Sequence, residues 1–357
     1  MRRTPRGSGP QLLAIRRSRR RGAGPAAAVL LLLAAVGCER LPTGPAGATL
    51  PPVRGITFVD WSGDGYAAPA AGPALDALAA TGANTVTLIV TAYQTNARSP
   101  ILRANDFRTP TPAAMDQVLQ AARARGLALA LKPHVDLDDG SWRGGIDPPR
   151  PDAWFESYAD FIMPWAGLAE AEGVGTFVVG TELAGLSGDA GRWRALIARV
   201  RSVFSGRVVY AASWDEAPRV TFWDAVDAVG VDYYFPVATR TRQSRFDLLA
   251  GWQPWLDRLE RLHRQTGRPI LLTEIGYRSV DGAGMHPYAF GSDEPLDLEE
   301  QADLYWAALQ ATGDRSWCEG LYWWNWPADG SGGPLDRDYT AHGKPAARVL
   351  ADAWGAP

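Results

Sequence analysis

Eight short apolar segments alternate with segments of helical spacing between residues 53 and 354, and this alternation limits the fold more than any other feature of the sequence. The apolar segments are rich in β-branched residues and predict strands, while most of the segments between them end at a glycine and predict helices. Two parallel strands joined by a helix form a right-handed unit. Eight such units predict an α/β fold with a single domain, the closed (β/α)₈ TIM barrel.

The predicted strands cover residues 55–60, 84–90, 127–131, 176–179, 207–212, 228–234, 269–275 and 320–324. The predicted helices cover residues 73–81, 112–125, 152–172, 190–204, 218–225, 246–265, 298–312 and 344–354. An open doubly wound sheet is the rival architecture. Its glycine-rich turn G-x-G-x-x-G is missing after the first strand, where Gly63 and Gly65 precede no helix start, and the sequence contains no P-loop.

The first 37 residues predict a signal for export. They hold eight arginines and no acidic residue, and residues 26–36 form an uninterrupted apolar run of eleven. A membrane-spanning helix needs about 20 apolar residues, so this run fits a signal peptide instead. The stretch Ala35-Val36-Gly37-Cys38 resembles a bacterial lipobox, which implies lipidation of Cys38 and anchorage of the protein in the cell envelope. Residues 38–52 are rich in Pro, Gly, Ala and Thr and predict a flexible tether, which leaves residues 53–357 as the barrel domain.

Charge and cysteine content exclude several functions. The whole chain has a net charge of −3, but without the eight N-terminal arginines 28 basic residues face 39 acidic ones, which gives −11 for residues 38–357. A domain of this charge is unsuited to bind nucleic acid or an anionic membrane surface. Cys38 and Cys318 are the only cysteines, so neither a disulfide framework nor a zinc site is expected. If Cys38 carries lipid, Cys318 has no partner and is expected to be buried.

Two glutamates stand at the ends of apolar strands, where (β/α)₈ barrels place their active sites. Glu182 follows the fourth predicted strand and Glu274 lies near the end of the seventh. A carboxylate at the end of a buried strand costs free energy unless it has a partner or a task. A salt bridge or a helix cap would explain one such glutamate. Two of them among aromatic strand ends indicate a functional site.

Paired carboxylates between aromatic walls are suited to glycoside hydrolysis. One carboxylic acid protonates the leaving oxygen, while the other carboxylate stabilises or attacks the sugar carbon, and Trp and Tyr offer flat faces to sugar rings. A metal-dependent hydrolase using His134 and Asp136 is an alternative, although the four histidines are scattered. Serine-nucleophile chemistry lacks its G-x-S-x-G motif.

The 15 tryptophans divide into two groups on this strand map. We expect the first group, at or just past strand ends, to lie on the catalytic face: Trp61, Trp214, Trp323, Trp324 and Trp326. We expect the second group, within helices, to pack against the barrel: Trp154, Trp165, Trp193, Trp252, Trp255, Trp306 and Trp354.

Five ordered stretches resemble glycoside hydrolase family 113, in a clan whose members place an acid/base Glu after strand four and a nucleophile Glu after strand seven. The stretches are Leu131–Asp136 with Ser141–Gly144, Val179–Leu183, Val231–Pro236, Leu272–Tyr277 and Tyr322–Trp326. The resemblance implies a retaining mechanism with Glu182 as the acid/base and Glu274 as the nucleophile. It also implies that Tyr234 bonds to the nucleophile, that Trp324 forms the floor of the sugar subsite, and that Trp61, His134 and Trp214 line it.

One position departs from the pattern of the clan. Thr181 stands where an Asn usually contacts the sugar 2-hydroxyl, which leaves the substrate open. The resemblance implies a β-linked polysaccharide or oligosaccharide as substrate, with β-1,4-mannan as the best single choice. It implies no metal and no cofactor, and we expect a monomer. The alternative function is that of a catalytically idle barrel that only binds glycans, and Thr181 is the reason to consider it.

Overall fold

The eight predicted strands close into a barrel in the computed structural model, which describes residues 52–291 and 293–355. All neighbouring strands pair in parallel, and the first pairs with the eighth. The predicted (β/α)₈ barrel is therefore confirmed. The strands are β1 Val53–Val59, β2 Thr85–Gln94, β3 Ala128–Leu137, β4 Thr176–Thr181, β5 Arg207–Ser213, β6 Ala228–Asp232, β7 Ile270–Ile275 and β8 Cys318–Pro327.

Helices cover the outside of the barrel, and four of the eight described begin at a side chain that caps the first turn. Thr111 accepts a hydrogen bond from the amide of Ala114, and Asp297 accepts one from the amide of Glu300, so each satisfies a free N–H group of a helix end. The helices are α1 Ala71–Ala79, α2 Pro112–Arg123, α3 Pro151–Ala171, α4 Ala190–Arg201, α5 Arg245–Gly251, α6 Gln253–Thr266, α7 Leu298–Thr312 and α8 Pro345–Trp354.

Two predicted helices differ from the structure. The predicted helix over residues 246–265 is two helices, α5 and α6, which meet at Trp252. Pro254 lies in the first turn of α6 and has no N–H to donate to the preceding turn, which separates the two. The helix predicted over residues 218–225 consists of two short 3₁₀ turns, Ala217–Arg219 and Trp223–Ala225.

The core has an inner and an outer layer, as the alternation of side chains along a strand requires. Tyr322 fills the lower barrel interior, where its ring lies against Gly55; a Cβ atom on Gly55 would stand 2.2 Å from that ring. The outer layer packs the opposite strand faces against the helices, with Trp154, Trp193 and Trp252 among its largest buried side chains. This packing fixes the strand ends that form the site.

The predictions about the N-terminus lie outside the described residues, apart from Pro52, whose carbonyl accepts a hydrogen bond from Asn84. Cys318 begins β8 and is half-buried, whereas full burial was expected. Its partial burial raises the pKa of the thiol to about 11. None of the described helices combines the length and apolar character needed to cross a bilayer.

Candidate active site

The carboxyl ends of the strands surround a cavity of 460 Å³. Six of the eight predicted site residues line it: His134, Glu182, Trp214, Tyr234, Glu274 and Trp324. The remaining wall comes from the long loops after β3 and β7 and from the end of β5, and consists of Trp142, Arg143, Ser213, Asp215, Tyr288 and Phe290. The two loops therefore shape the cavity, and the strands supply its floor.

Glu274 is nearly buried, and several side chains converge on its carboxylate. Lys132 Nζ donates to Oε1 at 2.5 Å, and the Tyr234 hydroxyl donates to Oε2 at 2.8 Å. His134 Nε2 lies 3.5 Å from Oε1. Burial opposes ionisation of Glu274, but Lys132 and His134 outweigh it and hold the pKa of this carboxyl far below its usual value. Glu274 is therefore an anion at neutral pH.

Lys132 belongs to a fully buried charge cluster below the cavity. Its ammonium lies 3.0 Å from Oδ1 of Asp232, and Asp232 also accepts a hydrogen bond from the Thr273 hydroxyl at 2.7 Å. Burial, followed by the charge of Glu274, raises the pKa of Asp232. Burial opposes protonation of Lys132, but the two carboxylates outweigh it and raise the pKa of its amine. The ammonium of Lys132 thus compensates the negative charge of the neighbouring carboxylates, which would be costly to bury without a cation.

Glu182 follows β4 in a backbone conformation that side chains rarely adopt, with φ at 52°. Its amide donates to the carbonyl of Ala211 at 2.8 Å, and its Oε2 accepts a hydrogen bond from Trp142 Nε1 at 3.3 Å. Burial, followed by the charge of Glu274, raises the pKa of Glu182, while Arg143, Lys132 and Trp142 act in the opposite direction. The environment therefore favours a proton on Glu182 and a negative charge on Glu274.

Arg143 connects the loop after β3 to the floor of the site. Its guanidinium contacts His134 Nδ1 at 3.1 Å and Asp136 Oδ1 at 2.6 Å. Burial, followed by the charge of Arg143, lowers the pKa of His134 to about 4, so the ring is neutral at neutral pH. A metal site built from His134 and Asp136 is not supported, because a guanidinium already lies against both side chains.

The tryptophans predicted for the site differ in whether they line the main cavity. The ring of Trp324 lies parallel to that of His134 with centroids 5.8 Å apart, and Trp214 packs edge-on against Trp255. Trp61 is 44% exposed and packs against the edge of Trp324, but it lines a neighbouring cavity of 380 Å³ instead of the main one.

Thr181 does not line the cavity. Its side chain is buried, and its hydroxyl donates to the carbonyl of Pro133 at 3.0 Å. The single donor of this hydroxyl is therefore occupied within the barrel wall.

Two tryptophans expected on the catalytic face lie elsewhere. Trp323 is buried and stacks on Tyr305 of α7, and Trp326 is buried and stacks on His342. Neighbouring residues of a strand point to opposite faces, so Trp323 and Trp324 separate to the outside and the inside of the barrel. The expectation for Trp323 is wrong for this reason. Trp326 has the same parity as Trp324, but its ring packs on His342 and does not line the cavity, so the expectation for it is wrong as well.

The sequence reasoning assigned no role to four residues that shape the site: Lys132, Asp232, Trp142 and Arg143. A signal for Lys132 was available, because 34 of the 36 basic residues are arginine and the two lysines are Lys132 and Lys344. Both lysine side chains are fully buried. A compact ammonium with three donors fits between two carboxylates better than a planar guanidinium, so a rare lysine inside an apolar strand marks such a cluster.

Among the described residues, one group has the geometry to hold a metal ion: Asp281, Asp297 and Glu300, at the base of the β7–α7 loop. Two of these carboxylates have structural roles already. Asp297 caps α7, and Glu300 accepts hydrogen bonds from the amides of Gly282 and Gly284.

A closed (β/α)₈ barrel with one carboxyl favoured as an acid, another held as an anion and aromatic walls around them defines the protein as a barrel glycosidase. The model of Glycoside Hydrolase Family 113 matches residues 56–344. The chain belongs to glycoside hydrolase family 113.

Solved structures agree with this assignment. The chain is 29% identical to the GH113 β-mannanase AaManA from Alicyclobacillus acidocaldarius, solved in complex with ManMIm, with a TM-score of 0.80 over 86% of this chain and 98% of that one. A second GH113 β-1,4-mannanase is 27% identical, with a TM-score of 0.80 over 86% of this chain and 100% of that one.

A more distant structure shows the fold alone. The β-glucuronidase of Ruminococcus gnavus is 12% identical, with a TM-score of 0.57 over 85% of this chain and 50% of that one. No curated protein matches the chain.

Proposed function

We propose that the protein hydrolyses β-1,4-linked mannan or manno-oligosaccharides by double displacement, with Glu274 as the nucleophile and Glu182 as the acid/base. One observation carries the mechanism: the two carboxyls lie in environments that shift their pKa values in opposite directions. Two carboxyl groups separated in this way can act as acid and nucleophile at the same pH. The choice of mannan rests on the two mannanases of the family that share the fold over nearly their whole length.

In the first step, a carboxylate oxygen of Glu274 bonds to the anomeric carbon while the glycosidic bond breaks and Glu182 gives its proton to the leaving oxygen. In the second step, Glu182 takes a proton from water, the water oxygen bonds to the anomeric carbon, and Glu274 is released. Two inversions leave the anomeric configuration unchanged. Lys132 and Tyr234 keep Glu274 ionised before the attack through their hydrogen bonds.

The assay that tests this function uses the purified protein with manno-oligosaccharides, and with xylan, galactan and β-glucan for comparison. We expect manno-oligosaccharides to be cleaved, and the first product observed by proton NMR to have the β-configuration. Cleavage of another glycan alone would reject mannan as the substrate, and a product that first has the α-configuration would reject the retaining mechanism. Glycan binding without any product would favour the idle barrel.

Two variants assign the carboxylates. Glu274→Gln should lose activity on all substrates by about a thousandfold or more. Glu182→Gln should lose activity on manno-oligosaccharides but keep the first step on an aryl mannoside whose leaving group needs no proton. The aryl group should be released in a burst followed by slow turnover, because the second step still needs Glu182 as the base. Glu299, an exposed residue in the first turn of α7, supplies the control, and Glu299→Gln should behave as the wild type. Normal activity of Glu274→Gln would exclude this residue as the nucleophile.

We further infer that residues 1–37 direct export and that Cys38 carries a lipid anchor. The support is the basic segment, the apolar run of eleven residues and the small residues before the cysteine. Growth of a bacterial host with an alkyne fatty acid should label the wild type. Cys38→Ser should lose the label and Cys318→Ser should keep it. Label retained by Cys38→Ser would contradict the inference.

A further inference from the structure

Two consecutive residues of the loop after β3 connect it to both candidate catalytic carboxylates, to one directly and to the other through His134. Trp142 Nε1 donates to Oε2 of Glu182 at 3.3 Å. Arg143, the next residue, contacts His134 Nδ1 at 3.1 Å, and His134 Nε2 lies 3.5 Å from Glu274. The 3₁₀ turn Arg143–Gly145 and the residue before it, Trp142, therefore reach the acid on one side of the cleft and, through His134, the nucleophile on the other.

The turn is held by close packing at its centre. Gly144 is buried, and a Cβ atom on it would stand 2.2 Å from the ring of Trp142. Its carbonyl accepts a hydrogen bond from the amide of Gly185, just beyond Glu182. The loop and the end of β4 are thus joined through their backbones, and the position of Arg143 follows from that junction.

The contact between Arg143 and His134 determines where the imidazole carries its proton. A guanidinium can only donate hydrogen bonds, so Nδ1 must accept and the single ring proton must be on Nε2. That nitrogen is buried without another partner of good geometry and faces Glu274. A second proton on Nδ1 would have to displace the bond from Arg143. Asp136, at 2.6 Å from the guanidinium, holds Arg143 in place.

We propose that Arg143 is a positioning residue for both carboxylates: it keeps His134 neutral with its Nε2 proton facing Glu274, and its charge acts on Glu182 across the cleft. The kinetic part of this inference rests on the proposed function. The part that concerns His134 can be measured without any substrate.

The charge of Arg143 matters for Glu182 because it is one of two cations that favour the ionisation of this carboxyl. Glu274 on β7 is an anion and disfavours the ionisation of Glu182. Asp232 on β6 and Glu216 in the loop after β5 add to this effect only when they are ionised, and burial raises the pKa of both. Lys132 on β3 and Arg143 on the loop favour the ionisation of Glu182. Loss of Arg143 leaves Lys132 alone to offset burial and the charge of Glu274, so the pKa of Glu182 should rise. A loop that merely loosened would admit water and relieve burial, which would lower this pKa instead.

Histidine NMR tests the first half of the inference in the whole protein. The chain has four histidines, and His134→Gln identifies the signal of His134 in ¹⁵N-histidine spectra. Between pH 5 and 8 the wild type should show a neutral ring with its proton on Nε2. In Arg143→Met the ring should take a second proton with a midpoint about one pH unit higher or more. Arg143→Gln can still donate to Nδ1, so the proton should stay on Nε2, but the midpoint should also rise because the positive charge is lost.

The pH dependence of kcat/KM on manno-oligosaccharides tests the second half. Its alkaline limb reports the group that must be protonated in the free enzyme. This limb should move to higher pH in Arg143→Met and Arg143→Gln and stay in place in Arg143→Lys, which keeps the charge. We expect kcat to fall about 10- to 100-fold in Arg143→Met, because the two carboxylates lose their alignment. Arg98→Met, which removes an exposed arginine paired with Asp147 of the same loop, should match the wild type.

Each outcome has one meaning. An unchanged titration of His134 in Arg143→Met and Arg143→Gln would overturn the role of Arg143 toward His134. An alkaline limb that stays or moves to lower pH in these variants would overturn its role toward Glu182. If Arg143→Met does not fold, Arg143→Gln and Arg143→Lys decide the same two questions. If His134 responds as expected but the wild type releases no sugar from manno-oligosaccharides, the proposed function fails and the role of Arg143 toward His134 stands.

Discussion

The ammonium nitrogen of Lys132 lies 2.5 Å from Oε1 of Glu274, and the lysine side chain has no exposed surface. The same nitrogen is 3.0 Å from Asp232. One cation therefore serves two carboxylates, of which one faces the cleft and the other is sealed in the barrel. Burial of these charges costs free energy of folding. Their presence below the cleft therefore indicates that an ionised Glu274 is maintained at the expense of stability.

Lys132→Met should destabilise the protein and disable the site together. Removal of the cation leaves uncompensated buried charge, which costs about 3–5 kcal/mol of the free energy of unfolding, and the pKa of Glu274 should rise toward and above its ordinary value. Urea denaturation measures the first effect, and the acid limb of kcat/KM against pH measures the second. The control is Lys344→Met, since Lys344 is equally buried but bonds to Asp336: stability should fall while the acid limb stays.

Tyr234→Phe should weaken the nucleophile without unfolding the barrel. The lost hydrogen bond to Oε2 of Glu274 stabilises the ionised form, so the pKa of Glu274 should rise and the acid limb should move to higher pH. A hydrogen bond to a charged group is worth about 1.5–3 kcal/mol, which corresponds to a loss of about 10- to 100-fold in kcat/KM. Tyr158→Phe loses a buried bond to a backbone carbonyl and should leave the pH profile unchanged. Identical profiles for the two variants would contradict this role of Tyr234.

The barrel could be predicted from the sequence because its main signal is local. Each strand is a short apolar run, most helices have a start or a stop signal in the sequence, and Leu298–Thr312 begins and ends as predicted. Glu182 and Glu274 could be predicted for a related reason, since the carboxyl ends of the strands of a barrel converge regardless of the conformation of the loops. The break at Trp252 shows the limit, because Pro254 interrupts a pattern that remains apolar and helical on both sides.

The side chains that surround the two carboxylates could not be predicted from local sequence patterns. Lys132 meets Asp232 and Glu274 across 100 and 142 residues of chain, and nothing near Lys132 in the sequence names those partners. The role of Arg143 depends on the path of a loop, which follows from Gly144 packing beneath Trp142. The residue type at a strand end also says less about a role in the site than the direction of its side chain. Trp323 and Trp324 show this, since they face opposite sides of β8.

The exposed aromatic residues of the β7–α7 loop should bind substrate without supporting the fold. Phe290 is 75% exposed and Tyr288 is 52% exposed, yet both line the cavity. Aromatic rings in such positions stack on sugars, so Phe290→Ala and Tyr288→Ala should each raise KM for manno-oligosaccharides about 3- to 30-fold, as expected for about 1 kcal/mol or more of lost contact. The melting temperature should stay within about 2 °C.

Phe107 provides the matched control for these two substitutions, since it is 83% exposed and does not line the cavity. Phe107→Ala should leave KM unchanged. A fall in kcat with a constant KM in Tyr288→Ala or Phe290→Ala would argue against a binding role for the loop.

Glu216 should make the stability of the protein depend on pH near neutrality. This residue is fully buried two positions after Trp214, and it accepts hydrogen bonds from the Tyr210 hydroxyl at 2.6 Å and the Ser213 amide at 3.0 Å. Burial raises the pKa of its carboxyl to about 7, from an ordinary value of 4.5. The folded state therefore holds this proton more tightly than the unfolded state. The resulting stabilisation is complete below about pH 4.5 and is lost as pH rises through 7.

Urea denaturation of wild type and Glu216→Gln at pH 5, 6.5 and 8 measures this effect. The glutamine cannot ionise, so the free energy of unfolding of the variant relative to wild type should increase by about 2.5 kcal/mol from the lowest to the highest pH. Glu299→Gln, at an exposed position, should show no such trend. Parallel stability curves for wild type and Glu216→Gln would mean that Glu216 ionises in the folded protein as easily as in the unfolded chain, and that its burial beside Tyr210 carries no cost.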